Sequence, residues 1–222
     1  MWGEITLVTG KDLRIERRSR VGLTQIAPFA VTVLVLFGFA LEGDSATLRR
    51  FTAGLFWVAV VFTAILAVQR SFTVESANDN RDALRLSGLD PVAIFLGKAS
   101  ALVIELLVLE VVLGFVVAVL YGGSVRSPVL LGVTAVVATI AVAAAGTIYG
   151  VLAASLRVRE TILPLLLLPV LAPVLIAATR AFEDALGEAA VNGWSWLVLL
   201  SLAAIVYTAF GALAFGTLLE ES

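Results

Sequence analysis

A chain of 222 residues that is 60 % hydrophobic, 14 % charged and net −2 is poorly suited to a soluble fold or to binding nucleic acid. It has no Cys, which excludes disulfide and thiolate chemistry. It also has no His, which removes the commonest metal ligand and the neutral-pH proton switch.

The chain opens with MWGEITLVTGKDLRIERRSR, Met1–Arg20, which is too polar to cross a bilayer. Ile5, Val8, Leu13 and Ile15 form a ragged apolar stripe against a basic face, interrupted by Gly10. That pattern predicts a helix lying on the cytoplasmic membrane surface, with a solvated topology tag as the alternative. A span needs about 20 apolar residues, and six segments qualify. They run over Leu23–Leu41, Phe51–Val68, Val92–Leu120, Pro128–Leu156, Thr161–Thr179 and Trp194–Leu218. The first ends at Glu42, Gly43 and Asp44 without a small-x-small cleavage pattern, so it reads as a span and not a signal peptide. The fold expected is an all-α integral membrane protein, a single membrane domain over residues 1–222.

Basic residues near span ends set orientation. With the N-terminus in the cytoplasm, eleven Lys and Arg fall on inner segments, and only Arg49, Arg50, Arg126 and Arg180 fall outside. Both termini are therefore expected in the cytoplasm. The outer loop 180–193 then carries Glu183, Asp184 and Glu188 ahead of Trp194 and Trp196, which suit an interfacial belt. The inner connection 70–91 changes composition sharply. Glu75, Asn78, Asp79, Asn80, Arg81 and Asp82 precede Leu84, Leu86 and Leu89. A short capped helix fits there, either docking a soluble partner or simply solvated.

Two carboxylates, Glu105 and Glu110, lie inside the third span. A charge at that depth costs about 2.5 kcal/mol or more, so it faces a cavity or a partner. Five residues apart, the two point about 140° from one another on a helix and do not form a tight dyad. One reading has them line a polar path or bind a partner subunit. The other has them pair with a basic side chain or sit uncharged in the bundle. Lys98, two turns from Glu105, is too distant for a direct pair. The fourth span carries Gly146 and Gly150 in a GxxxG arrangement, which lets helix backbones approach closely within the subunit or at a dimer seam.

The fifth span, ETILPLLLLPVLAPVLIAATRA, contains Pro164, Pro169 and Pro173. Pro164 lies in the first turn, where a missing N–H costs little. Pro169 and Pro173 free the carbonyls of Leu165 and Pro169, which predicts a kink and a face turned towards protein or a cavity.

Several stretches in order resemble the haem exporter protein B family, the membrane subunit of an ABC transporter used in cytochrome c maturation. They are KDLRIERRSR with VLVLFGFAL, FWVAVVFTAILAVQRSFTVE, AIFLGK and LLLLPVLAPVLIAAT. The resemblance covers nearly the whole chain and implies an ABC-2 type permease in the inner membrane. Such a permease works as a second copy beside the first, with cytoplasmic ABC ATPase subunits, a haem-handling membrane subunit and a haem chaperone. The coupling helix would fall on Glu75, Asn78, Asp79, Asn80, Arg81 and Asp82. Asp79 and Ser87-Gly88 stand where the family has Gly and Ser-Pro, so the shape of that helix departs from the pattern.

Neither Gly10-Lys11 nor Gly97-Lys98 has the rest of a phosphate-binding loop, so ATP hydrolysis is expected in a partner and this chain is expected not to be an enzyme. Haem iron is held by His, Cys, Met or Tyr. Only Met1, Tyr121, Tyr149 and Tyr207 are available, and the tyrosines read as interfacial anchors. No directly bound cofactor is expected, with haem a handled ligand and membrane lipid the surroundings. The competing functions are a scaffold for ATP-driven release of haem chaperone, and an ABC-2 permease for another small or lipid substrate.

Overall fold

A computed structural model describes residues 1–41, 45–76, 88–154 and 159–221. Among these, every regular element is helical. The elements are α1 (Trp2–Ser19), a π-helical turn (Gly22–Ile26), α2 (Ala27–Ala40), α3 (Ser45–Ser76), α4 (Pro91–Leu120), α5 (Pro128–Ala154), α6 (Arg159–Leu186) and α7 (Gly193–Glu221). Six segments are long and apolar enough to span a bilayer, from Gly22–Ala40 through Gly193–Leu219. The chain is a polytopic membrane protein.

Helices persist at this depth because lipid offers no partner for a free N–H or C=O. Lipid also gives no hydrophobic drive for helix association, so small residues decide which helices touch. Helix α5 is richest in them and sits centrally, against α3, α4, α6 and α7. Its Ala138, Ala141, Ala143 and Ala144 are fully buried. Gly146 and Gly150 both meet α3: a Cβ at Gly146 would lie 2.7 Å from Val68 Cγ2, and one at Gly150 would overlap the Phe72 ring. The same device sets α4 against α7, where Gly211 leaves room for Phe95. The GxxxG therefore packs within one subunit.

The proline helix differs from expectation in one respect. Helix α6 is one continuous element through Pro164, Pro169 and Pro173. Its buried stripe is Leu163, Leu167, Leu171, Val174 and Ala178, whereas Leu165, Pro169 and Pro173 are exposed. The proline face turns away from the rest of this chain, not into it. Aliphatic side chains at helical spacing bury more than the short pyrrolidine rings and take the inward face. The neighbouring donor is Tyr207, whose hydroxyl reaches Val170 O at 2.7 Å.

Helix α6 also runs on to Leu186, so the connection to α7 shortens to 187–192. Burial of Ala181, Phe182 and Ala185 holds that last turn. Ala185 O accepts from Arg126 N and Ser127 N, both at 2.9 Å, which ties the α4–α5 connection to α6.

Gly150→Leu is predicted to destabilise the protein by about 1–3 kcal/mol, because the buried Phe72 ring already occupies the space a side chain would need. Thermal unfolding of the detergent-solubilised variant checks this, with Gly132→Leu as the control at a position open to 4 Å.

Candidate functional site

The N-terminal helix builds the first polar site. Its Ile5 and Val8 are buried against α4. Contact is close enough that a Cβ on Gly97 would lie 2.6 Å from Val8 Cβ and 3.1 Å from Ile5 O. The Thr9 hydroxyl lies 3.0 Å from Gly97 O, bridging the two backbones. Asp12 and Glu16 extend the stripe of Ile5 and Val8 by helical steps, so both carboxylates enter the bundle.

Asp12 meets Lys98, with Nζ to Oδ2 at 3.4 Å; the lysine side chain is 3 % exposed, which makes this a buried charge. Its ammonium also lies 4.9 Å from the centroid of the Phe72 ring, a cation–π contact. Glu16 is the hub of a second set. It accepts from Arg70 Nε at 3.1 Å and from Gly22 N at 2.6 Å. The chain can turn there because Arg20 takes a left-handed conformation, φ 55°, and ends α1. A π-helical turn follows, which starts α2 beside the carboxylate.

Glu105 lies at the edge of this cluster. Asp12, Glu16, Arg70, Ser71 and Glu105 line a small polar cavity of about 40 Å³, enough for a water molecule. The Glu105 Oε1 atom is buried without a hydrogen-bond partner. Glu110 faces elsewhere: its Oε1 accepts from the Thr139 hydroxyl of α5 at 2.5 Å, while Oε2 is buried and unpartnered. The two carboxyls thus occupy separate sites, one against α1 and α3, the other against α5.

Asp12 and Glu16 were not singled out from sequence, because they sit inside a run of arginines that reads as a basic face. Their alignment with Ile5 and Val8, at positions 5, 8, 12 and 16, is the signal that marks them. Of the proposed coupling residues, Glu75 is on the last turn of α3, and Asn78, Asp79, Asn80, Arg81 and Asp82 lie outside the described residues. Tyr121 is 2 % exposed and donates to Leu34 O at 2.6 Å, so it is a buried strut between α4 and α2 and not an interfacial anchor. With Tyr207 also donating to a backbone carbonyl, two of the three tyrosines are committed to helix packing.

Six apolar spans among the described residues, with a buried ion-pair cluster at α1 and a separate buried carboxyl at Glu110, define a polytopic membrane protein. The chain matches the family described as CcmB protein over residues 4–222, and it belongs to that family. It is 28 % identical over 212 residues to Heme exporter protein B of Bradyrhizobium diazoefficiens, covering 92 % of this chain and 93 % of that protein. It is 24 % identical to Heme exporter protein B of Pseudomonas aeruginosa, covering 94 % of each chain. The protein of that name from Haemophilus influenzae is 26 % identical over 79 % of each.

Removing the carboxylate of Asp12 is predicted to loosen α1 from α4, since breaking a buried pair costs about 3–5 kcal/mol. The chain has no cysteine, so Val8→Cys is a clean reporter. The cysteine is expected to resist maleimide in the parent and to react at least tenfold faster when Asp12→Ala is added.

Proposed function

We propose that this chain is the permease subunit of an ABC transporter complex that handles haem for cytochrome c maturation in the inner membrane. The reading rests chiefly on the family match over 4–222, together with full-length relatives that carry the name Heme exporter protein B. Both termini then lie in the cytoplasm, where the arginines of α1 and the connection following α3 face a separate ATPase. The chain lacks a phosphate-binding loop, so its own part is mechanical. ATP-driven closure of the partner would shift the population of bundle conformations. Helix α1 suits this part, because one face is bonded to α3 and α4 while Arg14, Arg17, Arg18 and Arg20 stay exposed. A second copy of the chain would cover some of the apolar surface that α2, α6 and α7 leave open. A haem-handling membrane subunit and a haem chaperone complete the assembly.

A scaffold reading is favoured by one observation. Two tyrosine hydroxyls are engaged by carbonyls, and the chain has neither His nor Cys, so strong iron ligation has little support here. ATP-dependent release of loaded chaperone without haem crossing this subunit fits that observation.

Protein solubilised under conditions that preserve complexes should co-purify with an ATP-binding subunit and have no ATPase activity alone. Recovery without any such subunit would sink the assignment. Asp79→Lys with Asp82→Lys should lower ATPase activity of the complex several-fold at unchanged expression, measured by phosphate release. Following labelled haem in vesicles with the complete complex separates transport from scaffolding.

A further inference from the structure

A second cavity, larger than the polar one, lies at the end opposite α1 and has a volume of about 480 Å³, within the range of small-molecule sites. Its wall on α4 runs from Leu107 to Ala118, about 16 Å along the axis at 1.5 Å per residue. Phe56 of α3 and Phe182 of α6 stack at 5.3 Å between centroids and make a rigid aromatic side. The opposite side is open by construction. Gly114 on α4 and Gly132 on α5 both line the cavity, and a Cβ on either would meet nothing within 4 Å. Val111 is 73 % exposed and Val136 is 42 % exposed on the same two helices, so the cavity opens sideways between α4 and α5. At its rim Gly122 and Gly123 adopt φ +67° and +133°, a turn that side chains would strain, and this keeps the mouth free of bulk.

One acidic residue lines this apolar space. Glu110 sits at its inner end and is 6 % exposed. Thr139 satisfies Oε1, and Oε2 has no partner. A buried oxygen left without a hydrogen bond destabilises the fold, because it has given up water and gained nothing in return. Helix packing alone does not require a carboxyl here, since every neighbouring lining residue on α4 is apolar or glycine.

We propose that this cavity binds an apolar molecule, up to about 16 Å long, that enters sideways from the bilayer and donates one hydrogen bond to Glu110. The donor is a neutral O–H group, a hydroxyl or a protonated carboxyl. An O–H group can pair with a carboxyl group by donating to its free oxygen, and it brings no charge of its own into the apolar space. Two sources have that chemistry: a lipid-derived alcohol or acid, and a porphyrin with its propionic acid groups. The cavity is distinct from the polar cluster at α1, and its occupancy does not depend on the ATPase assignment.

The test uses the full-length chain in lipid nanodiscs and compares donor and capped forms of the same molecule. The pairs are hexadecanol with its methyl ether, and protoporphyrin with its dimethyl ester, followed by fluorescence and by competition. In the parent protein the donor form of one pair is expected to bind at least tenfold more tightly than its capped form. The pair that shows this identifies the source. Glu110→Gln offers an amide N–H in place of the free oxygen and should cut the preference to threefold or less. Gly132→Leu fills open space, should leave thermal stability unchanged, and should abolish binding of both forms. Equal binding of donor and capped forms in the parent, no binding of any of the four, or undiminished binding in a folded Gly132→Leu variant would each overturn the proposal.

Discussion

The ammonium of Lys98 is the constraint from which much of the architecture follows. It sits in the second turn of α4, beside Gly97, where the next helix lies too close for bulk water to solvate it. A buried charge must be paired and bonded or it destabilises the fold. Asp12 and the face of Phe72 meet that need, and each comes from a different helix. Asp12 cannot reach Lys98 unless α1 lies down along α4, and Phe72 cannot reach it unless α3 closes from the other side. Phe72 in turn lies over Gly150, which brings α5 into the same arrangement. One cation therefore helps to fix the relative placement of four helices.

The remaining polar groups are sorted by the same logic. Glu16 bonds Arg70 and the first amide of the π-helical turn, so the chain reversal between α1 and α2 is stabilised by the pair that anchors α1 to α3. Away from this end, polar side chains mostly bond carbonyls of their own helix, as Thr52 and Thr63 do. Tyr121 and Tyr207 instead bond carbonyls of other helices, and Glu110 receives Thr139 across the α4–α5 contact and keeps one oxygen unpartnered. A carboxyl that packing does not call for is better explained by a ligand than by the fold.

The spans were legible in the sequence because a bilayer imposes a length on apolar runs that few other structures share. Their ends shifted by a few residues, chiefly where α3 starts earlier and where α6 continues through Ala181, Phe182 and Ala185. Gly146 and Gly150 were legible as a close approach, because small residues have one dominant use in lipid. Helix α1 was read less well. Its Asp12 and Glu16 look like part of a charged surface until their phase with Ile5 and Val8 is followed, and only the tertiary partner Lys98 makes that phase meaningful. Counting freed carbonyls predicted a face turned towards protein or a cavity; within this chain the stripe of Leu163, Leu167, Leu171 and Val174 takes the inward position, and Pro169 and Pro173 are exposed. The apolar cavity was not legible at all, since it is assembled from four helices and from glycines whose value lies in what is missing beside them.

The central claim is that Lys98 and Asp12 hold the N-terminal helix as an integral layer of the bundle. A double-mutant cycle on Asp12→Ala and Lys98→Met, read by thermal unfolding in one detergent, tests it most directly. Groups in contact typically couple by about 0.5–3 kcal/mol, whereas independent sites add to within about 0.5 kcal/mol. The account predicts that the double variant is more stable than the sum of the single losses by at least about 1 kcal/mol, because removing both charges leaves neither one buried alone. Additive losses would show that α1 and α4 are held by apolar packing alone and would contradict it.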